Sequence, residues 1–361
     1  MKLTWGKQVL LSPIVIVLFV VIIVGLVCAF IVYQTTQSRE PVLESVAEKV
    51  PARPISLKAN TLFVGDTYWG RYINDWAMAS TQKTAYPFSR LGEFNRELYD
   101  AWIANLECPT VPGFTQTSAQ EDTTISFNCS PDYLPEAAKW FTAVSLANNH
   151  TDNRGVTGFT QTKEQLDLNN IQYFGHYDPA VIEDACEVTG LPVTVTYDDK
   201  TTKKQKIPAN LRVQTYHAMI DAGADMVIGN HPHWVQSTEA YKGKLIVYSM
   251  GNFIFDQQAN KEVKRSAAIN VVMNTSGRSS KELAPWLILG ENCSTFKDQC
   301  LQQAVSQNLP ELPIEYRYGV VGSSSANKMT KPATEQETAL ILQRMNWTQT
   351  MSQLQSPQGS L

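Results

Sequence analysis

A chain of 361 residues with 43% apolar content can bury a sizeable core, as one large domain or two ordinary ones, which excludes disorder for most of its length. The formal charge of −4 leaves no basic excess. The electrostatic footprint of a nucleic-acid binder is therefore missing, and nucleic acid is set aside as a partner.

Residues 9–33 carry no charge, a run longer than the roughly 20 residues that cross a bilayer as a helix. It reads as an uncleaved signal anchor. A cleaved secretory signal needs an apolar stretch of only about 7–15 residues and a small-residue cleavage site, and LVCAFIVYQTT offers neither; the bulky Val27 before Cys28 argues against a lipoprotein site. Lys2 and Lys7 precede the run and Arg39 beside Glu40 follows it, which places residues 1–8 in the cytoplasm and the bulk of the chain outside the cell.

Residues 34–60 are polar, contain Pro41, Pro51 and Pro54, and read as a stalk. Beyond the span lie Cys108, Cys129, Cys186, Cys293 and Cys300. The close spacing of Cys293 and Cys300 suggests a short bridge, Cys108 with Cys129 is a second pairing, and Cys186 is left over; buried small hydrophobes remain the alternative for each.

From residue 61 to about 285 the pattern is strand, turn, helix, repeated, the signature of an α/β core. The expected strands are 61–64 (TLFV), 101–104 (AWIA), 143–147 (AVSLA), 225–228 (DMVI) and 245–248 (LIVY). A hairpin is expected around Asp198-Asp199-Lys200, a helix over 210–222, and, in residues 330–361, a short helix over 338–347 followed by a loose tail. Each of the five strands runs directly into residues of metal-ligand type: Asp66, Glu107, Asn148-Asn149-His150, His231-Pro232-His233 and Asn252.

In open α/β sheets, loops at the carboxyl ends of strands converge on one rim, where the sheet holds them rigidly. Alone, Asp66 or Glu107 reads as a cap or turn residue and Asn148-Asn149 as a turn signal. Together, Asp66, Glu107, Asn149, His150, His231 and His233 make a mixed oxygen and nitrogen donor set that suits Mn, Fe or Zn better than Ca or a thiolate-bound metal. Pro232 biases His231 towards an extended backbone and stiffens the pair of imidazoles flanking it. Two surface histidines in a loop are the alternative. Of the other histidines, His176 reads as a loop residue and His217 as a packing residue within its helix.

These residues resemble a known family. Gly65-Asp66 with Arg71, Asn105-Leu106-Glu107, the run Leu146 to His150 with Asp152, Gly155 and Gly158, the run Gly223 to Gly229, His231-Pro232-His233, Gln236, Glu239, and the run Tyr248 to Phe253 with Phe255-Asp256 resemble the CapA/PgsA proteins of bacterial capsule and poly-γ-glutamate synthesis. The resemblance spans about residues 61–256. That family is in turn similar to calcineurin-like metallophosphoesterases, so it implies a four-layer α/β/β/α metallophosphoesterase-like sandwich over 61–329, with later strands such as 266–273 and 284–289 in the second sheet.

By the same resemblance, Asp66, Glu107 and Asn149 are metal ligands, His231 and His233 complete the shell around one or two divalent ions, and His150 is a general acid. Arg71 is a candidate for orienting an anionic substrate, because its fork matches phosphate or carboxylate. Asn148, Asp152, Glu239, Asn252 and Asp256 are supporting candidates around the ligands. One departure stands against these matches: the family usually carries, before the Gly-Ala-Asp strand, a further strand ending in His-x-Gly, and this chain passes from the 198–200 hairpin directly into the 210–222 helix. The loss is either natural or an internal deletion.

Two functions follow. One is a membrane-anchored, metal-dependent hydrolase or transferase acting on an anionic surface polymer or its precursor. The other is a non-catalytic anchored scaffold that assembles, exports or retains such a polymer alongside other membrane components of a capsule complex.

Overall fold

The structure, a computed structural model, describes residues 56–177, 193–196, 202–205, 209–276, 285, 306, 314–355 and 359–360. The expected span 9–33, most of the stalk, all of the 284–289 strand but residue 285, Cys186 and the Cys293/Cys300 pair lie outside the described residues. Among the described residues, no helix is long and apolar enough to cross a membrane.

Four parallel strands form one side of the main sheet: β1 (Ser56–Thr67), β2 (Ala101–Leu106), β3 (Ala143–Ser145) and β4 (Gln172–Phe174). β1 begins five residues earlier than the sequence pattern suggests, so the end of the expected stalk is strand: Ser56 already pairs with Ser276. Helices α1 (Arg71–Ala79), α2 (Ser118–Thr124), α3 (Leu134–Ala137) and α4 (Gly155–Leu168) fall between these strands. Next come the hairpin β5 (Val193–Thr196) and β6 (Thr202–Gln205), and helix α5 (Ala209–Asp221), both where the sequence places them.

The second sheet has strand order β7 (Met226–Ile228), β9 (Lys244–Val247), β8 (Thr238–Tyr241). The short strand β10 (Asn252–Ile254) then runs parallel to β1, setting Asn252 opposite Asp66. Strands β11 (Arg265–Ser276), β12 (Glu315–Ser324) and β13 (Lys331–Pro332) extend the main sheet on its β1 side, with β14 (Gly359–Ser360) against β12. The expectation that 266–273 belongs to the second sheet is therefore corrected. β11 pairs antiparallel with β1 through Phe63–Ile269 and is part of the first.

Alternation along the strands sorts the apolar side chains into three cores. Leu62 and Val64 of β1, with Trp102, Ala104 and Val144, pack with Ile73, Ala77, Leu134, Phe159 and Leu166 of the helices on one side of the main sheet. Phe63, Ala267, Ile269, Val271 and Tyr318 share a second core with Leu245 and Val247 of the small sheet. Ile246, pointing the other way on the same strand, joins Val227, Tyr248, Tyr216 and Ile220, the last two from α5. Period-two alternation thus dictates the order helices, sheet, sheet, helix.

The helix expected over 338–347 is present, but the loose tail expected after it is in part a second helix. Helices α6 (Glu335–Met345) and α7 (Trp347–Ser352) bury Ile341, Met345 and Trp347 in the second core. The signal was present in the sequence as a capping box, Thr334-x-x-Glu337, in which both reciprocal bonds form. Among the described residues β7 is paired on one side only, to β9. Beside it a cavity of about 210 Å³ lies between the sheets, lined mainly by Phe63, Ile103, Phe174, Met226, Ile228 and Tyr316.

Candidate metal centre

The rim at the carboxyl ends of β1, β2 and β3 is set by strand register. Asp66 lies opposite Asn105 of β2 on one side and Asn252 of β10 on the other. The β10 side requires Gly65, where a Cβ would stand 1.8 Å from the Gly251 carbonyl oxygen, and Gly251 itself turns with φ +77°. Asp66 N–H then donates to that carbonyl at 2.9 Å.

Side-chain amides order the acids. Asn148 donates through Nδ2 to Asn105 Oδ1 (3.1 Å) and to the Leu106 carbonyl (2.8 Å). With its oxygen so engaged, Asn105 must turn its NH₂ towards the carboxylates, and it donates to Asp66 Oδ1 (2.9 Å) and Glu107 Oε1 (3.2 Å). Asp66, Glu107 and Asn105 are all essentially without solvent exposure.

The small sheet supplies the imidazoles. The loop after β7 is tied down by Gly229 N–H to Val247 O (2.7 Å), Met250 N–H to Gly229 O (3.2 Å) and a bridge between Val235 and Met250. His231 N–H donates to both oxygens of Asp66 at 3.3 Å. The extended backbone expected for His231 is not found: its φ is +90°, and that of His233 is +64°. Non-glycine residues in this region cost of order 1–3 kcal/mol each and persist only where the surroundings hold them. Here the Asp66 carboxylate and the strand ends do so.

His233 Nδ1 faces Asn252 Oδ1 (2.9 Å) and Asp66 Oδ2 (3.1 Å), while Nε2 lies 3.7 Å from Glu107 Oε2. Asn252 donates its own NH₂ to Gln257 Oε1 and Val263 O, so its oxygen faces the ring. Nδ1 is therefore a donor, to Asn252 and Asp66, and Nε2 is the atom turned to Glu107, the arrangement that orients a metal-binding histidine. One donor atom each from Glu107, His231 and His233 lie within 4.8 Å of one another. Glu107 Oε2 and Asn149 Oδ1 are buried oxygens with no hydrogen-bond donor, and a cation is what such acceptors lack. The residues fit a divalent ion.

Charge coupling supports the same grouping. Burial raises Asp66, but the hydrogen bond and charge of His233 outweigh it and hold the carboxylate low. Burial and the Asp66 charge hold Glu107 well above the usual carboxylate range. Burial alone would lower His233; the Glu107 charge and the bond to Asp66 lift it to about 9. Asp66, Glu107 and His233 thus feel one another's charges and form a single electrostatic centre. His150 goes the other way, pushed down to about 3, chiefly by burial.

His150 sits in the turn after β3, stacked on Phe127 with ring centroids 4.1 Å apart. Phe127 was not singled out by sequence reasoning. Its signal is indirect, since it lies two residues before Cys129, which bridges to Cys108, the pairing ranked second from sequence. Arg71 is not turned outwards to an anion as expected. Its fork is closed by Asp256, Nε to Oδ2 and Nη2 to Oδ1 both at 2.6 Å, with Nη1 3.3 Å from Asp122. Asp256 accordingly belongs to Arg71 rather than to the metal ligands.

Glu239 also lies elsewhere. It is held by His217 Nε2 (2.9 Å) and the Tyr248 hydroxyl, with His217 stacked on Tyr241 at 3.7 Å. His217 is thus a hydrogen-bonding residue rather than a purely packing one. Asp152 contributes its backbone carbonyl to Gly155 N–H in the turn that opens α4.

A rim of strand ends carrying carboxylates, amides and two imidazoles defines an α/β protein with a group of side chains that could hold a metal ion. The family model described as bacterial capsule synthesis protein PGA_cap matches residues 60–189 and 179–257, and the chain belongs to that family. The junction of the two matches falls shortly before the place where the expected His-x-Gly strand is missing. The chain is 23% identical over 318 residues to the capsule biosynthesis protein CapA of Bacillus anthracis, covering 74% of this chain and 75% of the relative. It is 25% identical over 289 residues to the PGA biosynthesis protein CapA of Bacillus subtilis strain 168, covering 67% and 74%. A 49-residue stretch is 43% identical to the uncharacterized protein y4sH of Sinorhizobium fredii, covering 14% of this chain and 11% of that one.

Proposed function

We propose that this protein is a membrane-anchored component of capsule or poly-γ-glutamate synthesis, tethered by residues 9–33 with its main domain outside the cell, whose strand-end centre acts on an anionic surface polymer or its precursor. The observation that carries the reading is the convergence of Glu107, His231 and His233 within 4.8 Å, with Glu107 Oε2 buried and undonated.

Glu107, His231 and His233 would hold one or two ions of Mn, Fe or Zn, with Asp66 and Asn149 adjoining and a metallophosphoesterase-like sandwich as the frame. When bound, such an ion polarises a phosphoryl or carbonyl oxygen and lowers the pKa of water. The chain's own residues do the rest. Asn105 aims Asp66 and Glu107, Asn252 and Asp66 fix the His233 ring, and Phe127 shields one face of His150, which handles a proton at its ring nitrogen.

The closing of Arg71 onto Asp256 favours a second reading, an anchored scaffold that retains or exports the polymer without turnover, because the side chain expected to grip an anion is already neutralised. Elemental analysis of the full chain, stripped with chelator and reloaded, tests the centre. About one or two ions per chain are expected, and a reloaded protein holding none removes the hydrolase reading. Protease digestion of intact cells tests the topology: cleavage is expected after Gln34, and protection there reverses it.

A further inference from the structure

His150 Nδ1 lies 3.0 Å from Asn153 Oδ1, and the same oxygen accepts the backbone N–H of Phe127 at 2.7 Å. A backbone N–H can only donate, so the Asn153 carboxamide must turn its oxygen to it. Reversing the amide would set an NH₂ against that N–H. An oxygen accepts and never donates in a carboxamide, so the Nδ1 facing it must carry a proton. In a neutral imidazole the proton sits on one nitrogen, which leaves Nε2 bare.

We propose that Asn153 is a positioning residue that locks His150 in the Nδ1–H tautomer and so leaves Nε2 as its proton acceptor.

The lock joins three segments. His150 N–H donates to Asn148 Oδ1 at 3.0 Å, the Asn153 N–H closes the turn on the His150 carbonyl at 3.0 Å, and Phe127 is held by the neighbouring Asn128 N–H on Glu121 and by the Cys108–Cys129 bridge. The ring is thus fixed in plane by a hydrogen bond and in tilt by the Phe127 stack. Its meaning for catalysis rests on the metal-site reading: a His150 with a bare Nε2 takes up a proton there before it can hand one to a leaving group. It enters the reaction as an acceptor, not as the general acid implied by family resemblance.

The tautomer is read without turnover. Full-length chain labelled with ¹⁵N-histidine and freed of metal by chelator is examined near neutral pH by long-range ¹H–¹⁵N correlation, with His150 assigned by its loss in His150→Gln. A protonated Nδ1 and a bare Nε2 are expected. Asn153→Ala should move the population to mainly Nε2–H, and Asn153→Asp, which keeps an acceptor oxygen, should restore Nδ1–H. An Nε2–H tautomer in the unmodified protein, or an unaltered Nδ1–H in Asn153→Ala, overturns the proposal. If Asn153→Ala fails to fold, the unmodified protein and Asn153→Asp still decide it. A protein that binds no metal yet shows the Nδ1–H tautomer would sink the metal reading and leave this one standing.

Discussion

The two halves of the centre are built by opposite means. The half from the main sheet is buried, relaxed and cross-braced: Asp66, Asn105, Glu107 and Asn148 are joined by side-chain hydrogen bonds at 2.9–3.2 Å. The half from the small sheet is partly open and strained, with His231 and His233 both at positive φ around Pro232. The first half fixes where a cation would sit. The second reaches it only because Asp66 takes the His231 N–H and the His233 ring together.

Removing the strained half is the largest test of this contrast. His231→Ala with His233→Ala should abolish metal binding; neither ring belongs to an apolar core, so the cost to the metal-free fold is the lost pairing of His233 with Asp66 and Glu107, largest below about pH 6.5 and smaller above about 9. Retained stoichiometry by elemental analysis would clear both histidines. Disturbing the braced half should act differently. Asn105→Ala removes the donor to two buried acids and the acceptor of Asn148, so it should weaken metal affinity by about 10–100-fold and cost about 1–3 kcal/mol in the metal-free fold, read by chelator competition and chemical denaturation.

The pH response sharpens the comparison further. The folded value of about 9 for His233 lies above the ordinary ~6.5 of an unfolded histidine. The folded chain therefore holds the extra proton between those values, and metal-free stability contributed by His233 is full below about 6.5 and falls as pH rises through 9. A cation must displace that proton, so its apparent affinity should rise about tenfold per pH unit over the same window. Opposite slopes in denaturation and metal titration are the expected outcome, and parallel slopes would show that His233 is not at the centre.

Legibility in the sequence followed the same division. Strand ends and ligand types were readable because apolar runs stop at Asp66, Glu107, Asn148 and Ile228, and register does the rest. Angles and partners were not. Proline statistics favour an extended His231, but the Asp66 carboxylate overrides them with two hydrogen bonds to a backbone N–H. Arg71 looked free because nothing in one dimension announces Asp256, 185 residues away. The segment after the expected 338–347 helix looked loose because it is mostly polar, whereas α7 continues to Ser352, and Met351 and Leu354 still pack against the second core.

Glu239 provides the smallest expected effect and a control on the boundary of the centre. Its carboxylate is taken by His217 and Tyr248 near the outer face of the small sheet, against α5, whereas the ligand group gathers at the rim where β7 ends. Glu239→Gln keeps the shape and one acceptor oxygen, so metal affinity should stay within about twofold of the parent, well under the 1.4 kcal/mol of a tenfold change. Any stability loss should be small, because Glu239 and His217 are both partly open to water, which can replace a lost bond. A metal affinity that dropped tenfold would mean that the small sheet transmits strain from its outer face to His231 and His233. The braced and strained halves would then no longer be separable, since β8 and β9 would be setting the loop angles rather than Asp66.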